Sequence, residues 1–133
     1  MSEGTAVPDG LHYTKDHEWA RVEGDAVVVG ITDHAQHALG DITYAELPET
    51  GAEAVRGEEL VAVESAKAAV DVYAPVSGTV VEVNASLADA PEKTNADPYG
   101  EGWLCKIGDY RKEDLDKLLD AAGYRDFLAQ EEA

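Results

Sequence analysis

The chain is poor in sulfur, in basic residues and in long apolar runs, and each shortage excludes a class of protein. Among 133 residues there is one cysteine, Cys105, so no disulfide can form within the chain. Lysine and arginine number 10 against 28 aspartates and glutamates, which gives a formal net charge of −18. Such a chain repels the phosphates of nucleic acids and anionic membranes, so we expect neither as a partner. No apolar run approaches the length that spans a bilayer.

The N-terminal sequence MSEGTAVPDG also lacks the features of a targeting segment. It has no basic region, no apolar core and no arginine, so we expect neither a signal peptide nor a transit peptide and place the chain in the cytosol. Its glycines, proline and small polar residues are typical of a loose lead-in over residues 1–10. A chain of 133 residues is long enough for one domain, and we expect residues 1–133 to form a single monomeric unit.

Short stretches rich in β-branched residues, separated by glycine and proline, predict a mainly β fold. The predicted strands cover residues 11–14, 17–22, 26–31, 41–47, 79–83 and 103–107. Two further strands are predicted, one directly before and one directly after residues 65–69. The second and third of these flank a turn that contains Gly24, which predicts a β-hairpin.

Two segments predict helices. Thr32 or Asp33 can cap a short helix that ends at Gly40. Further on, apolar residues recur at i, i+3, i+4 and i+7 from Leu115 to Ala122, which predicts a C-terminal helical segment over residues 109–130 that packs across the sheet. Gly123 is expected to interrupt this segment.

The sequence around Lys67 predicts an attachment site. Residues 65–69, Ser-Ala-Lys-Ala-Ala, lie between two β-branched runs and should form a hairpin tip with the lysine between two methyl groups. A lone lysine at an exposed turn is usually only a solvated charge. Here a Pro/Gly turn over residues 74–78 and a returning strand follow, and that layout is typical of a lysine that carries a post-translational group.

Seven motifs in order carry a family resemblance: His17-Glu18-Trp19, Gly30-Ile31-Thr32-Asp33-His34-Ala35-Gln36, Leu39-Gly40-Asp41-Ile42, Glu46-Leu47-Pro48, Glu64-Ser65-Ala66-Lys67-Ala68, Pro75-Val76-Ser77-Gly78 and Asp97-Pro98-Tyr99-Gly100-Glu101-Gly102-Trp103. From about His12 to the C-terminal helix, the chain resembles the glycine cleavage H proteins, a family of lipoyl carriers in the biotinyl/lipoyl domain superfamily. Biotin domains typically flank their lysine with methionines, whereas the only methionine here is Met1. The resemblance is therefore to lipoate carriers.

The resemblance implies a fold and a function. The fold is a flattened β-sandwich (a barrel-sandwich hybrid) with short edge helices and a C-terminal helix. Lipoate in amide linkage to Lys67 would accept the aminomethyl group of glycine from glycine decarboxylase and deliver it to the aminomethyltransferase. Dihydrolipoyl dehydrogenase would reoxidise the arm, and a lipoylating enzyme would attach it. The chain itself would be a carrier subunit without catalytic activity.

The resemblance also assigns roles to three acidic residues. Glu64 matches a position implicated in recognition by the lipoylating enzyme, with an ordinary strand-edge charge as the alternative. Glu18 and Asp71 match positions associated with a cleft that receives the loaded arm, although both can instead be plain surface charges. Val70 departs from the family pattern, which often has a hydroxyl residue before that aspartate.

No catalytic constellation is evident. His34 and His37 can share a helix face, but no cysteine pair or Glu-x-x-His accompanies them, so we expect no metal site. Cys105 lies in a predicted strand, where it is expected to be a small packed residue. Trp19 and Trp103 are expected in the core or at its edge.

Two alternatives share these features. One is a lipoyl relay that passes lipoate to other complexes, which has every motif named above. The other is an acidic interaction module in which Lys67 stays unmodified. The acidity itself fits adaptation to high salt and an ordinary solubilising surface equally well.

Overall fold

The computed structural model describes residues 6–132, which form two antiparallel sheets with short helices at their edges. The strands are β1 (His12–Tyr13), β2 (Glu18–Glu23), β3 (Ala26–Ile31), β4 (Ile42–Glu46), β5 (Glu53–Ala54), β6 (Glu59–Ser65), β7 (Ala69–Tyr73), β8 (Gly78–Val83) and β9 (Cys105–Gly108). The helices are α1 (Asp33–Leu39), α2 (Lys93–Ala96) and α3 (Ala121–Glu132), with 3-10 turns over Ala85–Ala88 and Lys112–Lys117.

The two sheets form an unclosed sandwich, which confirms the predicted fold class. One sheet has the order β1-β2-β3-β9-β8-β5 and the other has the order β4-β6-β7. Side chains from both sheets meet in one apolar cluster that includes Ile31, Val63 and Leu104. Successive side chains of β2 point to opposite faces of the larger sheet. Ala20 packs in a second apolar cluster with Val76 and Ile107, whereas Trp19 packs on the opposite face.

Helix α3 covers that opposite face. Tyr124 packs with Tyr13 and Trp19, and the Tyr13 and Tyr124 rings are stacked with centroids 4.7 Å apart. The Trp19 indole N–H donates to the carbonyl of Pro98 at 3.0 Å, so this large side chain is buried with its polar group satisfied. Trp103 is only partly buried, so the two tryptophans lie in the core and at its edge, as the sequence predicted.

The C-terminal segment differs from its prediction. Leu119 pairs with Tyr13 through two backbone hydrogen bonds of 2.7 and 2.8 Å, so the chain there is extended instead of helical. The prediction of one continuous helix through Leu115 and Ala122 is therefore wrong. A 3-10 turn precedes the pairing of Leu119 with Tyr13, α3 follows it, and Ala122 is exposed. Gly123 lies inside α3 and does not interrupt it.

Helix α1 has the predicted ends. The Thr32 hydroxyl accepts a hydrogen bond from the N–H of Ala35 at 3.2 Å and so caps the first turn. Gly40 adopts φ 74°, and its N–H donates to the carbonyl of Gln36. Helix α2 is not among the elements predicted from the sequence. Within residues 6–132, no helix has the length and apolarity needed to cross a membrane.

Candidate functional site

Lys67 lies at the tip of the β6–β7 hairpin. Glu64 pairs with Ala69 as the last pair of the ladder, and residues 65–68 close the turn. The Ser65 hydroxyl accepts from the N–H groups of Lys67 and Ala68 at 3.3 and 3.1 Å, and the Ser65 N–H donates to the Ala68 carbonyl at 2.8 Å. This local network fixes the turn because the hydroxyl satisfies backbone donors that the strands leave free. The Lys67 side chain and both flanking alanines are exposed.

The tip is held against the end of α1. The N–H of Ala66 donates to the carbonyl of Asp41 at 3.1 Å. The Lys67 side chain crosses Gly40, where an added Cβ would stand 3.4 Å from the Lys67 Cε atom. Gly40 ends α1 with a positive φ that glycine adopts freely, and the lysine stem passes within ordinary van der Waals distance of it.

Asn95, in α2, holds the end of α1 in place through hydrogen bonds. Its amide donates to the carbonyl of Gly40 at 2.8 Å and to the Gln36 side chain at 3.0 Å, and its oxygen accepts from the N–H of Ile42 at 2.9 Å. The sequence analysis missed this residue, because Asn95 lies outside the predicted strands and helices and makes all of these bonds to residues far away in the chain.

A cleft of about 340 Å³ begins beside the lysine tip. Ala68 contributes to its wall, as do apolar side chains of α1 and β7. Glu18 and Asp71 line the same cleft, although 53 residues separate them in sequence (71 minus 18). The fold thus places the two carboxylates named from the sequence in one cleft, which also reaches Ala68, the residue after Lys67.

The two carboxylates differ in environment. Glu18 is 2% exposed; its carboxylate accepts from the Thr14 hydroxyl and, at 3.2 Å, from the N–H of Tyr73. Burial raises the pKa of Glu18 from 4.5 to about 7, and the two hydrogen bonds offset only part of that rise. Asp71, in contrast, is exposed. The cleft therefore offers one carboxyl that exchanges its proton near neutral pH and another that faces water.

The other residues named from the sequence lie as follows. Glu64 is exposed on β6 and does not line the cleft. Val70, which the resemblance marks as a departure from the family pattern, lines the cleft with an apolar surface. Cys105 is fully buried, and desolvation raises the pKa of its thiol to about 12, which fits a packed residue and not a nucleophile.

The histidines separate into different environments. His37 is exposed, with its Nε2 atom 3.5 Å from a carboxylate oxygen of Asp33. His34 instead lies against His17, with ring centroids 4.4 Å apart. Burial and then the charge of His34 lower the pKa of His17.

The fold and the presented lysine define a lipoyl-type β-sandwich domain, a class built to carry a group on a hairpin. A family model described as "Glycine cleavage H-protein" matches residues 11–131. The chain belongs to the glycine cleavage H-protein family.

Individual relatives agree with this assignment. The "Glycine cleavage system H protein" of Thermus thermophilus is 54% identical over 125 residues, which cover 94% of this chain and 98% of that protein. The protein of the same name from Stenotrophomonas maltophilia is 53% identical over 133 residues and 99% of each chain. A crystal structure of a glycine cleavage system H protein from Mycobacterium marinum superposes with a TM-score of 0.81 at 39% identity, covering 96% of this chain and 100% of that one.

Family membership supports a lipoate-carrying role in glycine cleavage, in partnership with the enzymes of that system. It is also consistent with a carrier subunit that has no catalytic activity of its own.

Proposed function

We propose that Lys67 bears lipoate in amide linkage and that the chain shuttles the aminomethyl group of glycine from glycine decarboxylase to the aminomethyltransferase. The lipoyl group would supply a dithiolane on a long tether, which dihydrolipoyl dehydrogenase returns to its oxidised form. The observation that carries the proposal is the exposed Lys67 on a fixed hairpin tip beside the cleft. Tethering raises the effective concentration of the carried group at each partner in turn.

The surroundings of Lys67 fit an attached group. Ala66 and Ala68 leave its amine open to a lipoylating enzyme and cannot obstruct the motion of a tether. The turn itself is held by Ser65 and by the carbonyl of Asp41, so the attachment point stays fixed while the side chain moves. We propose that exposed Glu64, at the last rung of the hairpin ladder, contributes to recognition by the lipoylating enzyme.

We propose further that Glu18 and Asp71 shelter the carried aminomethyl group. Its amine is cationic near neutral pH, and a carboxylate holds such a group by a charge-assisted hydrogen bond, which is stronger than a neutral one. The apolar wall contributed by Val70 and Ala68 limits access of water, which would otherwise hydrolyse the carried group. A cation in the cleft would also favour the ionised form of Glu18 and offset part of its burial.

Lys67→Arg tests the attachment. Arginine keeps the charge but lacks the amine that forms the amide, and the exposed site predicts a stability change below about 0.5 kcal/mol. We expect the parent protein, expressed with a lipoylating system, to gain the mass of one lipoyl group on the Lys67 peptide. Lys67→Arg should gain none and should not support glycine-dependent carbon transfer in a reconstituted system.

The matched control is Lys112→Arg, which alters an exposed lysine outside the hairpin. It should be lipoylated and active like the parent. Carbon transfer by Lys67→Arg at the parental rate would overturn the attachment site, and a parent chain that stays unmodified would favour the acidic interaction module.

A further inference from the structure

Three side chains from distant parts of the chain converge beside the cleft that Glu18 and Asp71 line. His17 precedes β2, His34 belongs to α1 and Glu131 lies in the last turn of α3. One ligand atom from each residue lies within 4.8 Å of the other two. Spacing along the sequence led us to expect no metal site, because the three residues come from separate elements that only the fold brings together.

The fold orients His17 for ligation. Its Nδ1 atom is hydrogen-bonded to the Tyr124 hydroxyl at 2.7 Å, and that hydroxyl is in turn hydrogen-bonded to Thr32 at 2.8 Å. The Nε2 atom is thereby directed to Glu131, whose carboxylate oxygen is 3.5 Å away. Metal-binding histidines are commonly oriented by a hydrogen bond to the second ring nitrogen, and Tyr124 occupies that position here. His17 also has an unusual backbone for a non-glycine residue, with φ 72°.

We propose that His17, His34 and Glu131 bind a Zn²⁺ ion, with a fourth position left to water. Two imidazoles and one carboxylate are a ligand set typical of zinc sites that keep an open position. Tetrahedral bonds of about 2.1 Å separate ligand atoms by about 3.4 Å, so the His17–Glu131 pair already has the required spacing. The other two pairs of ligand atoms lie within 4.8 Å, and the Glu131 side chain is 43% exposed, so its carboxylate can turn toward an ion.

The donor set also determines which metal is bound. Imidazole nitrogen favours zinc and its first-row neighbours, whereas Mg²⁺ and Ca²⁺ require oxygen ligands. The acidic surface attracts divalent cations in general, so a specific site must be measured with that background suppressed. A large excess of Mg²⁺ occupies the carboxylates without competing for the two imidazoles.

The test uses the full chain produced without lipoate, so that no dithiol contributes to binding and the result is independent of the function proposed for Lys67. Zn²⁺ is titrated in competition with a chromophoric indicator, in excess Mg²⁺. We expect one saturable Zn²⁺ site per chain. His34→Gln and Glu131→Gln should each weaken it by at least about a hundredfold, and Tyr124→Phe by about tenfold, the loss typical of an orienting hydrogen bond.

His37→Gln is the matched control, because it removes an exposed histidine of the same helix that lies outside the triad. It should bind Zn²⁺ like the parent. In the parent, Zn²⁺ should shift the side-chain NMR signals of His17 and His34 and leave those of His37 unchanged. Thermal melts identify any variant that fails to fold. In that case the NMR shifts of the parent decide whether His17 and His34 bind Zn²⁺. Absence of a saturable site, or equal affinity in His34→Gln and His37→Gln, would overturn the proposal and would leave the lipoyl assignment untouched.

Discussion

Glu18 couples the stability of the protein to pH. Because burial raises its pKa from 4.5 to about 7, the folded state holds a proton between these values that the unfolded chain has released. Its contribution to the free energy of unfolding should therefore fall as pH rises from 4.5 to 7 and level off above, by about 3 kcal/mol in total for a shift of that size. Denaturant unfolding of the parent and Glu18→Gln, in the presence of a metal chelator, measures this difference.

Glu18→Gln cannot ionise and should lose this pH dependence. The remaining acids contribute to both proteins, so the difference between the two curves isolates residue 18. Parallel curves from pH 4.5 to 7 would show that the carboxyl of Glu18 has an ordinary pKa in the folded state.

A second experiment tests whether Glu18, together with Asp71, protects the carried aminomethyl group from water. The carried group loses ammonia and formaldehyde in water, so spontaneous formaldehyde release without the transferase reports its exposure. We expect Glu18→Gln and Asp71→Asn to release formaldehyde faster than the parent, because each removes a carboxylate that lines the cleft.

Asp25→Asn is the control for a general charge effect, since Asp25 is exposed in the turn of the β2–β3 hairpin. It should release formaldehyde at the parental rate. If both cleft variants also retain the parental rate, neither carboxylate shelters the group, whatever is attached to Lys67.

At the scale of elements, α1 ends beside the hairpin tip that carries Lys67, and its first turn is linked to α3. The Thr32 hydroxyl accepts from the N–H of Ala35 and is hydrogen-bonded to the Tyr124 hydroxyl. We expect Thr32→Ala to lower the free energy of unfolding by about 1–2 kcal/mol, because it removes the helix cap and leaves a buried hydroxyl with one fewer partner. Urea unfolding measures the change.

Thr32→Ser keeps the hydroxyl and should recover most of that loss. If both substitutions cost the same, the methyl group of Thr32 and not its hydroxyl accounts for the stability at this position.

Elements whose signals are local were predicted well. The caps of α1 and the hairpin that carries Lys67 depend on residues within a few positions of each other, and the structure has both. The C-terminal segment was predicted incorrectly. Leu119 pairs with Tyr13 across more than a hundred residues, and this extended pairing replaces the helix that local periodicity favours. Helix α2 was missed because α2 has only four residues, too few for a periodic signal.

At the scale of the whole molecule, the charge of −18 should make stability depend on salt. Like charges crowd a small surface, and their repulsion is screened over about 10 Å at 0.1 M salt. We therefore expect the melting temperature to rise as potassium chloride is added. Sucrose at equal osmolality is the control, since it does not screen charge. A melting temperature that is flat in potassium chloride would mean that the acidic groups are already well paired.

The sequence by itself determined the family, the β-sandwich and the exposed lysine between alanines, because these follow from short-range patterns and ordered motifs. Only the tertiary structure decided the environments on which chemistry depends. It buried Glu18 and raised its pKa, opened a cleft between Glu18 and Asp71, and placed His17, His34 and Glu131 together. The physical reason is that burial and electrostatic coupling depend on distance in space, and in this protein they arise where β2, α1, β7 and α3 meet.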